Sequence, residues 1–283
     1  FKPVFAVSIL FCFATACQNQ DVTIDSDQLT RLNDDPVAWS ANDSPSVLDL
    51  DESFTYTYAD LPLEGAATNT PWAGNYWPTY RDSINYRWAG PDALSPTEKF
   101  AQAFSKTGLT DAVSEYYGID SRKNRGGTVC TDDSVCDSDK GEKCSKRTGA
   151  QEGVCVETWF GICHAWAPVA LMEPEPRHAI TYNGVDFTVN DLKALVTLSY
   201  DKGLKSKLMS GRCNAVNSND DEGIQYDQYG RPELDDALYE DCADTNPGSF
   251  HVVVTNMLGI QGKGIVEDRT FDYEVWNQPV RAY

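Results

Sequence analysis

The cysteines constrain the fold of this chain more than any other residue type. Four of the nine cysteines lie in a stretch rich in Gly, Asp, Lys and Ser. They are Cys130, Cys136, Cys144 and Cys155. A segment so poor in apolar side chains cannot build a core of its own, so we expect these cysteines to form disulfides with one another. Four cysteines allow three pairings, and the spacing does not choose among them. The sequence therefore predicts a disulfide-stapled insert over residues 130–155.

The remaining cysteines leave one thiol unpaired. Cys213 and Cys242 flank a polar, acidic segment and are expected to close it as a third disulfide, worth about 3 kcal/mol through restriction of the unfolded chain. Cys12 and Cys17 belong to the N-terminal leader. Seven cysteines follow the leader, and an odd number cannot all be paired. With the other six assigned to disulfides, Cys163 is the predicted free thiol.

Residues 1–17 have the pattern of an export signal, with a single basic residue ahead of an apolar run too short to span a bilayer. Their end, Ala-Thr-Ala-Cys, resembles a bacterial lipobox and predicts a lipid on Cys17. Gln18 after that cysteine favours the outer membrane. Cleavage without lipid, after Ala14 or Ala16, is the alternative. We therefore expect an exported protein, either an outer-membrane lipoprotein that meets the membrane only through its lipid anchor or a secreted protein.

Charge and composition divide the rest of the chain. Residues 18–52 are acidic with one aromatic side chain, which predicts a disordered tether, and residues 53–283 are predicted to form one catalytic domain. The chain has 43 acidic and 23 basic residues, for a net charge of -20. Nucleic acids and anionic membrane surfaces require a basic footprint, so the charge excludes both as partners.

Helical signals dominate the first part of the domain, and strand signals follow. Ser95 and Glu98 form a capping-box pattern, as do Thr188 and Asp191. Helices are predicted over residues 96–106, about 110–117, 159–172 and through 192–198 to near Gly203. Strands are predicted over residues 250–258, 264–266 and 273–276. Helices first and strands last indicate the α+β class.

Cys163 precedes an apolar, Ala-rich run, which places it near the start of a buried helix. A nucleophilic cysteine needs its thiolate form, which a helix N-terminus and a nearby imidazole favour. His164 is adjacent in sequence and points about 100° away on a helix, and His178 lies in a Pro-rich loop. His251, at the head of a predicted strand, is the predicted base. An inert, buried cysteine is the alternative interpretation.

A third group should orient the imidazole of the base. Asp268 is the predicted residue, and Asn277 and Asp272 are alternatives. Glu157 stands where papain-type enzymes place a Gln that donates to the oxyanion, and an ionised carboxylate has no donor.

The oxyanion is therefore predicted to bind the backbone N–H of Cys163 and the indole of Trp159 or Trp166. Against a helical Cys163, Pro168 lies five residues on, so the helix must start later or kink.

Several motifs together resemble the oomycete transglutaminase elicitor family over about residues 70–283. They are Tyr76-Trp-Pro78, Ile84-Asn-Tyr-Arg-Trp88, Trp159-Phe-Gly-Ile-Cys-His-Ala-Trp-Ala-Pro168, Tyr229-Gly-Arg231 and Glu274-Val-Trp-Asn-Gln-Pro-Val-Arg281. The last motif resembles the surface peptide of that family that plants recognise, in which the residues matching Trp276 and Pro279 are linked to activity. The lipobox-like leader points to a bacterial member.

The resemblance implies a papain-like core, in which the nucleophile helix packs on an antiparallel sheet, and a Cys163, His251 and Asp268 triad. It also implies Ca²⁺-dependent cross-linking of a protein glutamine donor to a lysine or other amine acceptor, with Trp276 near the substrate. A papain-like peptidase or deamidase, and a non-catalytic surface lipoprotein that binds through the aromatic residues of 72–88, are the alternatives. Those aromatic residues form either core or lid.

Calcium is predicted separately from the acidic segment 217–244. Asp220, Asp221 and Asp227 supply hard carboxylate oxygens there. A solvated acidic loop is the alternative, since no EF-hand spacing is present. No organic cofactor is expected.

Overall fold

The computed structural model of the protein describes residues 44–48, 53–201, 203, 209, 225–226, 232–233, 245–268 and 274–283, which belong to the unit Trp39–Tyr283. The predicted leader with Cys17, nearly all of the predicted tether, and the Cys213–Cys242 pair lie outside the described residues. Within the described part of the chain, no helix is long and apolar enough to cross a bilayer.

The described α-helices are α1 (Pro96–Ala103), α2 (Leu109–Tyr117), α3 (Ile119–Lys123), α4 (Cys163–Met172), α5 (Val189–Asp201) and α6 (Pro247–Val254). A π-helical segment, Thr255–Ile260, continues α6. The described strands are β1 (Val129–Cys130), β2 (Glu142–Ser145), β3 (Gly153–Glu157), β4 (Ile180–Tyr182), β5 (Val185–Phe187), β6 (Gln225–Tyr226), β7 (Pro232–Glu233), β8 (Ile265–Asp268) and β9 (Asn277–Val280).

All strand pairs are antiparallel and short. One sheet has the order β1-β3-β2, and β4-β5, β6-β7 and β8-β9 form two-stranded sheets. The mixture of helices and antiparallel sheets confirms the predicted α+β class.

Both predicted capping boxes are present. The Ser95 hydroxyl accepts from the backbone N–H of Glu98 at 3.1 Å, and the Glu98 carboxylate accepts from the Ser95 N–H at 2.7 Å. Asp191 and Thr188 exchange the same two bonds at 2.7 and 3.2 Å. These bonds satisfy N–H groups that a helix start leaves without intrahelical acceptors, so they fix where α1 and α5 begin.

Helix α4 lies at the centre of the fold. Most of its residues are buried, among them Ala165, Ala167, Val169 and Leu171, and the exposed ones, His164 and Met172, lie near its two ends. A helix that buries most of its surface must be covered by several other elements. It packs against α5 on one side and against the β8-β9 hairpin on another. The helix begins at Cys163 and not at the predicted residue 159, because the Ile162 N–H bonds to the Tyr76 carbonyl and holds the preceding chain outside the helix. It continues through Pro168, whose ring is accommodated inside it.

Two of the aromatic residues of 72–88 belong to the core. Trp72 and Trp77 are 4% and 3% exposed, and they pack against residues of α4. Trp88 is partly buried and meets Trp77 edge-on at 5.7 Å between ring centroids, whereas Tyr86 is 37% exposed. Of the two alternatives, core and lid, the structure therefore supports core for Trp72 and Trp77.

Disulfides join the strands of the insert as expected. Cys130 pairs with Cys144, and Cys136 pairs with Cys155. Cys144 and Cys155 stand opposite each other in the β2-β3 register. The first bridge therefore ties β1 to β2 across the sheet, and the second fastens the loop after β1 to β3.

The predicted strand over residues 250–258 is wrong. The Asn246 side chain accepts from the backbone N–H groups of Gly248 and Ser249, and Pro247 occupies the first helical position. A side-chain cap followed by Pro is a strong helix start. The valines that follow are β-branched and favour strands weakly, and burial of Val253 and Val254 in a helix outweighs that preference.

The last two strands form a hairpin that the sequence located only in part. The strand predicted over 264–266 is β8. The second strand was predicted over residues 273–276 but begins at Asn277. In the register of the hairpin, Asn277 stands opposite Asp268, and Val280 stands opposite Ile265.

Asp82 connects the aromatic segment to the helices beside it. It adopts a left-handed conformation, φ 62°, and its carboxylate accepts from the Ser114 hydroxyl at 2.6 Å and the Ile119 N–H at 2.9 Å. Arg147 of the insert lies 3.7 Å from it. We expect Asp82→Ala to lower the free energy of unfolding by about 3 kcal/mol, because several hydrogen bonds to one charged, mostly buried group are lost together.

Chemical denaturation of the two proteins measures that loss. Asp111→Ala is the matched control: Asp111 also pairs with Arg147, at 2.8 Å, but its side chain is 73% exposed. A loss of no more than about 1 kcal/mol is expected there. Equal losses for the two variants would contradict the role given to Asp82.

Candidate active site

The segment before α4 fixes the position of Cys163. The Ile162 N–H donates to the Tyr76 carbonyl at 2.7 Å, and the Tyr76 hydroxyl donates to the Thr158 carbonyl at 2.9 Å. Gly161 passes so close that a Cβ on it would lie 2.3 Å from the Tyr76 carbonyl oxygen. A side chain at this position would therefore push the start of α4 away from residue 76.

The N-terminus of α4 has no side-chain cap. Ile162 is the N-cap residue and offers no hydrogen-bonding side chain. Cys163 is the first helical residue, so its N–H has no intrahelical acceptor. Unsatisfied N–H groups at a helix start carry partial positive charge and stabilise anions.

The Cys163 thiol is buried, with 6% of the residue exposed, and it is free of disulfides. Its Sγ lies 3.5 Å from the carbonyl oxygen of Val275, to which the thiol can donate. The side-chain amide of Asn277 donates to Sγ from 3.3 Å. Both contacts come from the beginning of the motif 274–281, so that motif covers the thiol.

Asp268 fastens the covering segment. Its carboxylate accepts from the Trp276 backbone N–H at 2.9 Å, and it stands opposite Asn277 in the hairpin. The Trp276 indole donates to Glu274 at 2.8 Å, and its ring meets Tyr76 edge-on at 5.3 Å. Trp276 therefore lies beside the thiol, against the same residue that positions the start of α4.

His251 lies on α6 and is exposed. Its ring is 5.7 Å from the ring of Tyr58, measured between centroids. Among the described residues, the hydrogen bonds of Cys163 go to Val275 and Asn277, so the structure does not bring the predicted base and nucleophile into contact. The Cys163, His251 and Asp268 triad therefore stays a prediction, and the side-chain amide that donates to Sγ in the structure is that of Asn277.

The other histidines are engaged elsewhere or exposed. His164 Nε2 lies 2.6 Å from a carboxylate oxygen of Asp201, at the end of α5. Tyr117 also contacts Asp201; burial, followed by this carboxylate, raises the pKa of Tyr117 to about 12. His178 is exposed in the loop after α4. The sequence expectation that His164 turns away from Cys163 agrees with its pairing to Asp201.

Neither of the indoles predicted to bind the oxyanion, those of Trp159 and Trp166, is hydrogen-bonded to Cys163 in the structure. Trp159 Nε1 donates to the buried Glu157 carboxylate at 2.6 Å. Trp166 Nε1 is buried and, in the described structure, has no hydrogen-bond partner. It faces Gly74, where a Cβ would lie 2.2 Å from that nitrogen.

The amide near the thiol is therefore that of Asn277. From the sequence, Asn277 was predicted only as an alternative to Asp268 for orienting the imidazole. No local signal in the sequence places it against Cys163, because the contact depends on where β9 crosses α4.

The predicted calcium ligands belong to the acidic segment 217–244. Asp220, Asp221 and Asp227 lie outside the described residues. Within the described ranges, the one group of three side chains with metal-ligand spacing is Cys130, Cys136 and Cys155, and their sulfurs are already in disulfides.

Comparison with known proteins gives the family. The transglutaminase elicitor family matches residues 49–283. The chain belongs to the transglutaminase elicitor family. The solved structure of the GP42 transglutaminase from Phytophthora sojae is similar to it, with 39% sequence identity and a TM-score of 0.62. The match covers 81% of this chain and 57% of that one, so the chain spans little more than half the length of that relative. A comparison with curated proteins gives no match.

Three of the five family motifs meet at one point of the structure. Trp276 and Asn277 of the last motif meet Tyr76 of the first and Cys163 of the third. The family resemblance predicted from the sequence is confirmed.

Asn277 offers a direct test of this geometry. In Asn277→Asp the side chain keeps its shape, but a donor beside Sγ is replaced by a carboxylate. Because an anion next to sulfur opposes the thiolate, we expect alkylation of Cys163 by iodoacetamide at neutral pH to slow roughly tenfold.

Gln278→Glu is the matched control. It makes the same chemical change one residue along β9, where the side chain points to the opposite face of the hairpin. Alkylation at about the wild-type rate is expected for this variant. If both variants slow equally, the amide of Asn277 has no special relation to the thiol.

Proposed function

We propose that the protein is a protein-glutamine γ-glutamyltransferase whose nucleophile is Cys163. The observation that supports this most is the placement of a free, buried thiol at an uncapped helix start beside a donating amide. In a family of transglutaminases, these groups have the chemistry needed to hold a negative charge on sulfur.

The reaction has two halves. The Cys163 thiolate attacks the carboxamide carbon of a protein glutamine, the C–N bond breaks, and ammonia leaves with a proton from the general acid. A thioester remains. A lysine amine of a second protein then attacks the thioester carbon, loses a proton to the base, and restores the thiolate as the isopeptide bond forms. Water in place of the amine gives deamidation.

The tetrahedral intermediates carry an oxyanion that needs donors. The Cys163 N–H has no intrahelical acceptor, and the Asn277 amide lies 3.3 Å from Sγ. We assign these two groups to the oxyanion. Trp276, packed on Tyr76 beside them, is proposed to contact the glutamine side chain.

His251 is the proposed proton carrier, and Asp268 is its proposed orienting acid. One observation supports His251 over His164, namely that the His164 ring is paired with Asp201. In addition, α6 and the π-helical segment pack through Val254 and Leu258 against the hairpin that bears Asp268. For the reaction, the His251 ring must leave Tyr58 and approach Cys163.

Incorporation of a labelled primary amine into casein tests the activity. Wild-type protein is expected to label casein, and Cys163→Ser is expected to abolish labelling because the hydroxyl is a far weaker nucleophile. Among single His→Gln variants, His251→Gln is expected to lose roughly a hundredfold or more of the rate, and His164→Gln and His178→Gln much less.

The products distinguish transfer from its rivals. Isopeptide cross-links show transfer, new N-termini show a peptidase, and acid groups in place of amides show a deamidase. Labelling that survives in Cys163→Ser would refute the nucleophile. A larger loss in His164→Gln than in His251→Gln would refute the proposed base.

Calcium dependence is a further proposal, based on the family and on the acidic residues of 217–244. Hard carboxylate oxygens of Asp220, Asp221 and Asp227 are the proposed ligands. Removal of calcium with EDTA is expected to lower the melting temperature and the labelling rate, and calcium, but not magnesium, should restore both. A melting temperature and a rate that EDTA leaves unchanged would contradict a bound ion.

Export also stays a proposal. The two disulfides of the insert support an oxidising compartment, since cytosolic proteins rarely keep such bonds. Lipid attachment to Cys17 is proposed on the leader sequence alone.

A further inference from the structure

A cleft lies between the segment 80–91 and the edge of the disulfide insert. Its volume is about 660 Å³, and its walls carry four basic side chains and three aromatic rings. The basic residues are Arg81, Arg87, Lys143 and Lys146, and the aromatic residues are Tyr80, Tyr86 and Trp88. A cationic cleft is unexpected on a chain whose net charge is -20.

Arg81 is one of the basic residues that line the cleft, and its partners are uncharged. Its guanidinium donates to the hydroxyl groups of Tyr80 at 2.9 Å and Tyr86 at 3.1 Å. It also lies over the rings of Tyr86 and Trp88, 4.9 and 5.9 Å from their centroids. All of these partners are neutral. In the described structure no carboxylate pairs with Arg81, so its positive charge is held in place without being neutralised.

Two lysines face the same space from the insert. Lys143 and Lys146 are exposed, and neither forms an ion pair among the described residues. The cleft wall also carries two carboxylates. Asp133 accepts from the backbone N–H of Cys144 at 2.8 Å, and Asp82 binds Ser114 and the N–H of Ile119 and lies 3.7 Å from Arg147. Arg87 is the basic residue that is neutralised, by Glu98 at 2.6 Å.

The segment 76–81 connects the cleft to the candidate active site. Tyr80 and Arg81 line the cleft, and Tyr76 meets the Trp276 ring edge-on at 5.3 Å between centroids. Four residues of chain span at most about 14 Å, so the cleft lies close to the segment that covers Cys163.

We propose that this cleft is a docking site for an acidic segment of the protein substrate. The proposal rests on the proposed function, because it takes the ligand to be a protein that reacts at Cys163. Carboxylates of Asp or Glu would pair with Arg81, Lys143 and Lys146, and aliphatic parts of the segment would pack on the rings of Tyr86 and Trp88. Such a site would select substrates whose reactive glutamine lies near acidic residues.

Binding without turnover tests the cleft. A fluorescent Glu-rich peptide is titrated with the Cys163→Ser protein and followed by anisotropy. Adding Lys143→Gln and Lys146→Gln together is expected to weaken binding about fivefold or more, since two exposed charge contacts are lost. Affinity should also fall as the salt concentration rises, because the lysines are solvent-exposed.

The matched control pair is Lys106→Gln with Lys123→Gln. These lysines are also exposed, lie outside the cleft, and change the net charge by the same amount. Less than a twofold change is expected. Equal weakening by both pairs, or no binding of the peptide at all, would overturn the proposal. Tighter binding of an oligogalacturonate of equal charge would also overturn it, by assigning the cleft to an acidic glycan.

Turnover provides an independent readout. For a glutamine peptide with an acidic extension, the Lys143→Gln and Lys146→Gln pair should raise KM and leave kcat unchanged. The same peptide without the extension should be unaffected. If the wild-type protein shows no amine incorporation, the proposed function is refuted. The anisotropy titration still tests peptide binding in the cleft, because it needs no turnover. If turnover is normal and the extension has no effect, the docking proposal alone is refuted.

Discussion

The burial of α4 determines where the chemistry can occur. Because most of its residues are apolar and buried, the helix needs cover from α5 and the aromatic segment on one flank and from the β8-β9 hairpin on another. The one part of such a helix that keeps polar character is its start, where N–H groups lack acceptors. Cys163 occupies that start. The thiol consequently lies between the start of α4 and the segment before β9, next to the partial positive charge of the helix N-terminus.

The hairpin contributes chemistry as well as cover. Glu157, at the end of β3, is bound to the Trp159 indole and offers no donor to an oxyanion. The donor near sulfur is the amide of Asn277, delivered by a strand more than a hundred residues later in the chain. Asp268 holds the adjoining backbone at Trp276, so one carboxylate sets the position of two residues of the motif. This arrangement gives a structural reason for a sequence motif near residue 276 to accompany a nucleophile at residue 163.

Local signals allowed much of the fold to be predicted from the sequence. Ser95 and Thr188 mark helix starts by their own hydrogen bonds, and the polar insert required disulfides whatever its partners. The segment 250–258 was misassigned because β-branched residues favour strands, whereas the Asn246 cap and burial against Leu171 favour a helix. The place of Cys163 at a helix start was predictable from the run that follows it. Its contact with Asn277 was not, since it depends on how a hairpin of two short strands crosses a helix.

Cover over the thiol also bears on which acceptor completes the proposed reaction. The residue is only 6% exposed, and Val275, Trp276 and Asn277 lie over it, so a glutamine side chain can reach sulfur only if this segment shifts. The edge-on packing of Trp276 against Tyr76 makes the segment an apolar cover rather than a solvated loop. A cover that closes again over the thioester excludes water from it, and exclusion of water favours attack by an amine that enters with a bound protein. In the proposed reaction, the balance between cross-linking and deamidation would therefore depend on the contacts from Asp268, Glu274 and Tyr76 that hold the Trp276 segment in place.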